Sequence, residues 1–151
     1  MNAIEVNHNI EMGHRLSLQP ESKCFHLHGH SWRVYLRIEG DLDDKGMVGG
    51  LNFADVKGPW RAWLDAYFDH HMLLNPKDPL AEYVEKEGIL DWGVTLTDDC
   101  DPTVENVARI IGEWSAQTFF KEDKLGYAAL RFSVKIFEAA TNAAEWSDAP
   151  F

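Results

Sequence analysis

Three histidines, His14, His28 and His30, are spaced so that one metal ion can take all three, and Cys24 lies beside them in the run Cys24-Phe25-His26-Leu27-His28-Gly29-His30. Zinc suits neutral imidazoles, and three protein ligands leave a fourth position for water or substrate, as in catalytic rather than structural sites. A lone His-x-His says little. Parity says more, because successive side chains of a strand alternate faces. Ile4, Val6, Ile10 and Met12 share one side of a first segment, and His14 ends that side. Trp32, Val34, Leu36 and Ile38 form the apolar side of a second, and His30 and His28 extend it backwards. If the two segments pair antiparallel, all three imidazoles converge at one end of a hairpin. His26 has the same parity and, with Cys24, would close the site, so a structural zinc is the alternative to an open one. Cys24 is otherwise a buried apolar filler.

The elements that must position these residues show as periodicities. Residues 3 to 14 and 31 to 40 read as strands, the second ending at Gly40 before the turn-rich stretch 41 to 46. Asn52 can cap a helix whose stripe is Val56, Trp60, Trp63, Leu64 and Tyr67; Gly58-Pro59 either kinks it or starts the main helix. The stripe ends at Asp69-His70-His71, imidazoles that can do chemistry or simply sit at a helix C-terminus, where the dipole favours positive charge. A second helix opens at Asp101-Pro102-Thr103, with Asp101 as cap and Val104, Val107, Ala108, Ile111 and Trp114 as its buried face. Leu130, Phe132, Val134 and Ile136 alternate along a third strand, and the next residue on that apolar side is Glu138, a carboxylate for a ligand or a strand end reaching water. Ala143 to Trp146 adds a short fourth strand. The order is strand, strand, helix, helix, strand, strand.

The composition bounds the function. A chain of 151 residues, 45% hydrophobic and 26% charged, is expected to form one domain over residues 1–151, and no repeat, low-complexity tract or linker divides it. Acids outnumber bases 25 to 14, a net charge of -11, which argues against a nucleic-acid partner, whose phosphates demand Lys and Arg. A small phosphorylated substrate stays open if cations such as Arg15 or Lys23 cluster locally. No apolar run has the length of a membrane span and the N-terminus lacks signal-peptide character, so no membrane partner and a cytoplasmic location are expected. Cys24 and Cys100 are then reduced thiols.

The combination of Cys24-x-x-x-His28-Gly29-His30, the upstream His14, Asp69-His70, Pro102-Thr103-x-Glu105-Asn106 and Glu138 resembles the 6-pyruvoyl-tetrahydropterin synthase and 6-carboxytetrahydropterin synthase family, in order and over nearly the whole chain. The resemblance implies an α+β tunnelling fold, a four-stranded antiparallel sheet with two helices between its second and third strands. It implies homo-oligomers, trimers whose sheets form a barrel, usually paired as hexamers. It implies Zn2+ held by His14, His28 and His30, Cys24 as proton-abstracting group, and Asp69 with His70 as relay partners contributed by a neighbouring subunit. The choice of His70 over His71 rests on the resemblance. Glu138 would anchor a pterin substrate, with Thr103 at the base of that pocket and Glu105 and Asn106 behind it.

The chemistry implied is coherent. A carboxylate accepts two parallel hydrogen bonds from a pterin's amino and ring N–H groups, as it does from a guanidinium fork. A divalent cation stabilises charge that develops on side-chain oxygens, and together with an imidazole it favours a thiolate able to act as base. The three-residue gap between Cys24 and His28-Gly29-His30 resembles the bacterial enzymes of queuosine and deazapurine biosynthesis, which convert 7,8-dihydroneopterin triphosphate to 6-carboxytetrahydropterin with loss of acetaldehyde and triphosphate. The pyruvoyl-type triphosphate lyase is the second reading, and a non-catalytic zinc-stabilised module the third. Two stretches depart from the pattern. Pro76 to Asp101 exceeds the connection of compact bacterial members, and Val48-Gly49-Gly50-Leu51-Asn52-Phe53 replaces a shorter segment usually ending in Asp-Phe. The longer connection either alters substrate choice or assembly, or is a solvated surface loop.

Overall fold

A computed structural model describes residues 2–119 and 130–148. Its elements are β1 (Asn2–His14), β2 (His28–Gly40), α1 (Phe53–Tyr67), β3 (Met72–Leu74), α2 (Pro79–Lys86), β4 (Val94–Leu96), α3 (Val104–Phe119), β5 (Arg131–Phe137) and β6 (Ala143–Ser147), with 3-10 turns at Lys23–Phe25 and Leu90–Trp92. The sheet order is β4-β3-β1-β2-β5-β6. β1, β2, β5 and β6 pair antiparallel in sequence, as expected. Two three-residue strands extend that sheet, β3 parallel to the end of β1 and β4 parallel to β3. Among the described residues the connection between β2 and β5 holds three helices where two were expected. The third, α2, lies in the long stretch after Asn75, where Asp78 caps and Pro79 takes a first-turn position that needs no N–H donor.

The core lies on one face of the sheet. Val6, Ile10, Met12 and His14 of β1, Trp32, Val34, Leu36 and Ile38 of β2, and Phe132, Val134 and Ile136 of β5 are buried there beneath α1 and α3. The opposite face is polar, with Asn9, Glu11 and Ser31 hydrogen-bonded to one another and Arg37 paired to Glu39. Gly112 of α3 belongs to the core for a steric reason. A Cβ there would fall 2.0 Å from the Trp146 ring, so only glycine lets the helix approach β6 closely.

α1 runs unbroken from Phe53, with Pro59 inside it. The Asn52 side chain accepts from the N–H groups of Ala54 and Asp55, which holds the start at 53 rather than at the proline. Pro59 is on the exposed side, where water can serve the carbonyl it leaves without a donor. Of the expected stripe, Val56, Trp60 and Leu64 are buried, Trp63 is half-buried against Trp114, and Tyr67 is exposed. The start of α3 corrects an expectation: the helix begins at Val104 and its cap is Thr103, whose Oγ1 accepts from Asn106 N–H at 3.2 Å. Asp101 is drawn away by other partners and is buried among Ser17, Leu18 and Asn75. Among the described residues no helix is long and apolar enough to cross a membrane.

Candidate metal centre and its surroundings

The β1–β2 register pairs His14 directly with His28 and Met12 with His30, so the three imidazoles project from one end of the hairpin toward its buried side. One nitrogen from each lies within 4.8 Å of the others, and these three residues form the group of the described residues able to hold a metal. Gly29 between His28 and His30 has little choice of side chain, because a Cβ would stand 3.0 Å from the Met12 carbonyl. Trp32 backs the cluster, stacked with His30 and edge-on to His14.

Backbone carbonyls fix two of the tautomers. His14 Nδ1 donates to the Pro102 carbonyl at 2.8 Å and His28 Nδ1 to the His26 carbonyl at 2.7 Å. Burial lowers the His14 pKa to about 4, against the opposing pull of the Pro102 hydrogen bond, and burial also lowers that of His30 against the pull of Glu138. A neutral His14 that donates through Nδ1 has only a lone pair at Nε2, and so has a neutral His28. Yet these two Nε2 atoms face each other at 2.9 Å. With both rings neutral neither can donate to the other, so the contact is satisfied only by a proton or a metal ion shared between the two lone pairs. His30 Nε2 is buried without a hydrogen-bond partner among the described residues. Neutral rings, carbonyls holding the far nitrogens and lone pairs aimed together are what a metal site with a built outer shell requires.

Neither Cys24 nor His26 belongs to the ligand group. The His26 contribution is its carbonyl, while its exposed ring packs edge-on to Phe25. Cys24 occupies the 3-10 turn between the two strands, half-buried, with its N–H on Ser22 Oγ and its carbonyl accepting from Leu16 N–H at 2.9 Å. Glu138 follows β5 on the buried side and brings Oε1 to 3.6 Å from His30 Nε2, joining the end of β5 to the histidine cluster. Thr103 spends its oxygen on capping α3, and its hydroxyl proton is left for another acceptor. Glu105 is exposed; Asn106 donates to Asp98 and to the Asp101 carbonyl.

Asp69 and His70 form a separate corner. Asp69 Oδ1 accepts Glu11 N–H at 2.8 Å and Oδ2 accepts His70 Nδ1–H at 2.7 Å. Burial alone would raise this carboxyl, but the Glu11 and His70 hydrogen bonds outweigh it and hold the pKa below the ordinary value. His70 has φ of 60°, the one described non-glycine residue at positive φ, and its side chain is 79% exposed. The neighbouring His71 is committed inward, donating to Thr95 Oγ1, which donates in turn to the Tyr67 carbonyl. A recess of about 440 Å³ opens here, lined by Glu11, Met12, Gly13, His70, His71, Met72, Trp92 and Gly93, and none of the three clustered histidines is in its wall. Trp92 and the Pro102 carbonyl could not be anticipated, one because it sits in the long connection, the other because a main-chain oxygen leaves no mark in a sequence.

Comparison with known proteins bears on the family and the fold. The family described as 6-pyruvoyl tetrahydropterin synthase matches residues 3–149. A 6-carboxy-5,6,7,8-tetrahydropterin synthase of Rickettsia typhi is 35% identical over 71 residues, 46% of this chain and 49% of that one, so the chain spans about half the length of this curated relative. The protein of that name in Aquifex aeolicus is 27% identical over 135 residues, 86% of this chain and 79% of its own. The solved 6-pyruvoyl tetrahydropterin synthase of Caenorhabditis elegans superimposes with a TM-score of 0.65 at 22% identity, covering 98% of this chain and 96% of that one. The six-stranded sheet is thus an enlarged tunnelling fold, and the chain belongs to the 6-pyruvoyl tetrahydropterin synthase family.

Proposed function

We propose that this chain, acting as a single domain in a homo-oligomer, is a zinc-dependent 6-carboxy-5,6,7,8-tetrahydropterin synthase, taking 7,8-dihydroneopterin triphosphate and one water to 6-carboxytetrahydropterin, acetaldehyde and triphosphate. The observation that carries the metal is the pair of Nε2 lone pairs facing at 2.9 Å while both Nδ1–H groups are held by carbonyls. His14, His28 and His30 would hold zinc, which when bound stabilises negative charge on the substrate's side-chain oxygens. The absence of Cys24 and His26 from the ligand group supports an open site over a closed structural one.

The remaining roles follow from what each residue can do. Glu138 anchors the pterin through its amino and ring N–H groups, beside the metal cluster rather than remote from it. Cys24 takes a proton from the substrate side chain, held in place by its turn. Asp69 fixes the His70 ring through Nδ1, so Nε2 is the atom that exchanges protons. The His70 side chain is 79% exposed at the wall of the recess beside Glu11, which suits delivery to the site of an adjacent subunit in a trimer or hexamer. Thr103 supports the pocket floor through its hydroxyl proton. The names of the sequence relatives favour the carboxy product over the pyruvoyl one.

The test is incubation of the zinc-loaded protein with dihydroneopterin triphosphate and identification of the products by mass. 6-Carboxytetrahydropterin with equimolar acetaldehyde is expected. Pyruvoyl-tetrahydropterin would replace this reading with the other lyase of the family, and an unchanged substrate would leave a binding module.

A further inference from the structure

The long connection after β3 does something specific to the cysteine loop. Residues 15 to 27 link the two histidine-bearing strands and carry Cys24. Two buried carboxylates grip that loop, one from each end of the connection. Asp101, 4% exposed, accepts from Ser17 Oγ at 3.1 Å and Leu18 N–H at 2.9 Å. Asp78 is fully buried and stands 3.5 Å from Arg15 Nη1. The other side of that guanidinium lies over the Phe25 ring, 4.4 Å from its centroid, and Phe25 is the residue after Cys24. Leu16, next to Arg15, donates its N–H to the Cys24 carbonyl. Asn75 links the two acids, donating its side chain to Asp101 and accepting the Asp78 N–H.

A helix cap alone does not explain Asp78. Its Oδ1 accepts Leu80 N–H at the start of α2, a task that Asn or Ser performs as well without burying a charge. A fully buried carboxylate is costly unless a cation meets it, and Arg15 is that cation. Arg15 is equally unusual. It follows a metal-site histidine directly, yet its planar group is held between an acid of the added connection and the aromatic beside the cysteine. Stacking on a ring and pairing with a carboxylate are both properties of a guanidinium that an ammonium reproduces poorly.

We propose that Asp78, through Arg15 and Phe25, is a positioning residue for Cys24, and that the connection from 76 to 101 is a brace that sets the thiol's placement relative to the histidine cluster. The catalytic part of this rests on the proposed role of Cys24 as base. Neither Asp78 nor Arg15 touches substrate in this scheme; both act through the turn that carries the thiol.

The experiment uses the full chain, zinc-loaded, with Cys100→Ser so that Cys24 is the one thiol. Asp78→Asn keeps the cap and removes the charge. Zinc content and melting temperature should stay near the parent's, while alkylation of Cys24 by iodoacetamide changes at least fivefold and kcat falls about tenfold with KM within twofold. Adding Arg15→Gln to Asp78→Asn should change nothing beyond the single variants, because both break one chain of contacts. Parental alkylation and kcat in a folded Asp78→Asn protein, or effects of the two substitutions that multiply, would overturn the proposal. Should Asp78→Asn fail to fold, Phe25→Leu cuts the same chain without touching the buried charge, and unaltered alkylation there overturns it equally. Alkylation needs no pterin. A parent that binds zinc but turns over no pterin therefore defeats the proposed function, and leaves the brace to be judged on alkylation alone.

Discussion

The histidine cluster and the Asp69–His70 corner hang from the same strand, at His14 and Glu11, yet they are built in opposite ways. In the cluster every ring is braced: carbonyls hold two of the far nitrogens, Trp32 backs two of the rings, and burial keeps His14 neutral. At the corner the acid is tied down while the imidazole stands outside, at a backbone conformation that L-residues rarely adopt. The first arrangement is complete within one chain. The second leaves its histidine side chain 79% exposed, held through Nδ1 on Asp69 Oδ2. Strained exposed residues cluster where function holds them, and under the proposed function this contrast is the physical reason to look for a partner of His70 on a neighbouring subunit.

The widest separation between the two regions should come from the metal. His28→Ala removes one of the two facing lone pairs, and zinc by elemental analysis should fall to near background, with turnover lost. Full zinc occupancy in that variant would end the comparison, since the cluster would then be ordinary packing. Cys24→Ala comes next. Zinc and fold should persist because the thiol lies outside the ligand group, while turnover drops about a hundredfold, the scale of a positioned acid or base. Loss of zinc and melting together would instead revive the closed structural site.

How much of this was legible in the residues depended on the range of the interactions. Face parity along β1 and β2 is local, so His14, His28 and His30 could be brought together from the sequence, and Glu138 followed from the same alternation on β5. Thr103 was displaced by Asp101 as expected cap because Asp101's partners, Ser17 and Leu18, are more than eighty residues away. Strands of three residues, such as Met72–Leu74 and Val94–Leu96, are too short to show a period. The signal for α2 was present in Asp78-Pro79, a cap followed by a first-turn proline, but a cap does not disclose that its acid is also buried against Arg15.

The half-site reading can be tested by mixing. Cys24→Ala and His70→Ala proteins should each be nearly inactive, and co-assembly from dissociated chains should recover about one quarter of the parental rate, the share of random interfaces at which both intact residues meet. No recovery from well-mixed oligomers would return the corner to its own chain. A smaller effect is expected at the junction of cluster and pocket. Glu138→Gln should weaken pterin binding by about 2 kcal/mol, because a charge-assisted pair is lost and a buried acceptor is mismatched. Equal affinity in calorimetry would sever Glu138 from the ligand and leave it as a neighbour of His30.

The smallest expected change bears most directly on why the two regions differ. If His70 is kept at positive φ for its imidazole rather than for the fold, His70→Gly should raise stability, since glycine adopts this conformation without a Cβ clash. The gain should be about 0.5–1 kcal/mol, the left-handed strain being larger than the glycine's extra unfolded entropy and the exposed hydrogen bond to Asp69 together. The His70 N–H bond to the Glu11 carbonyl survives in the variant, so the turn itself stays anchored. Denaturant melts of parent and variant, with zinc loading matched, provide the measurement. A variant less stable than the parent would mean that the ring is holding the corner together, and the contrast between a braced cluster and an exposed corner would lose its second half. A variant more stable but without turnover would locate the strain in the imidazole's placement, as the proposed proton-carrying role of His70 requires.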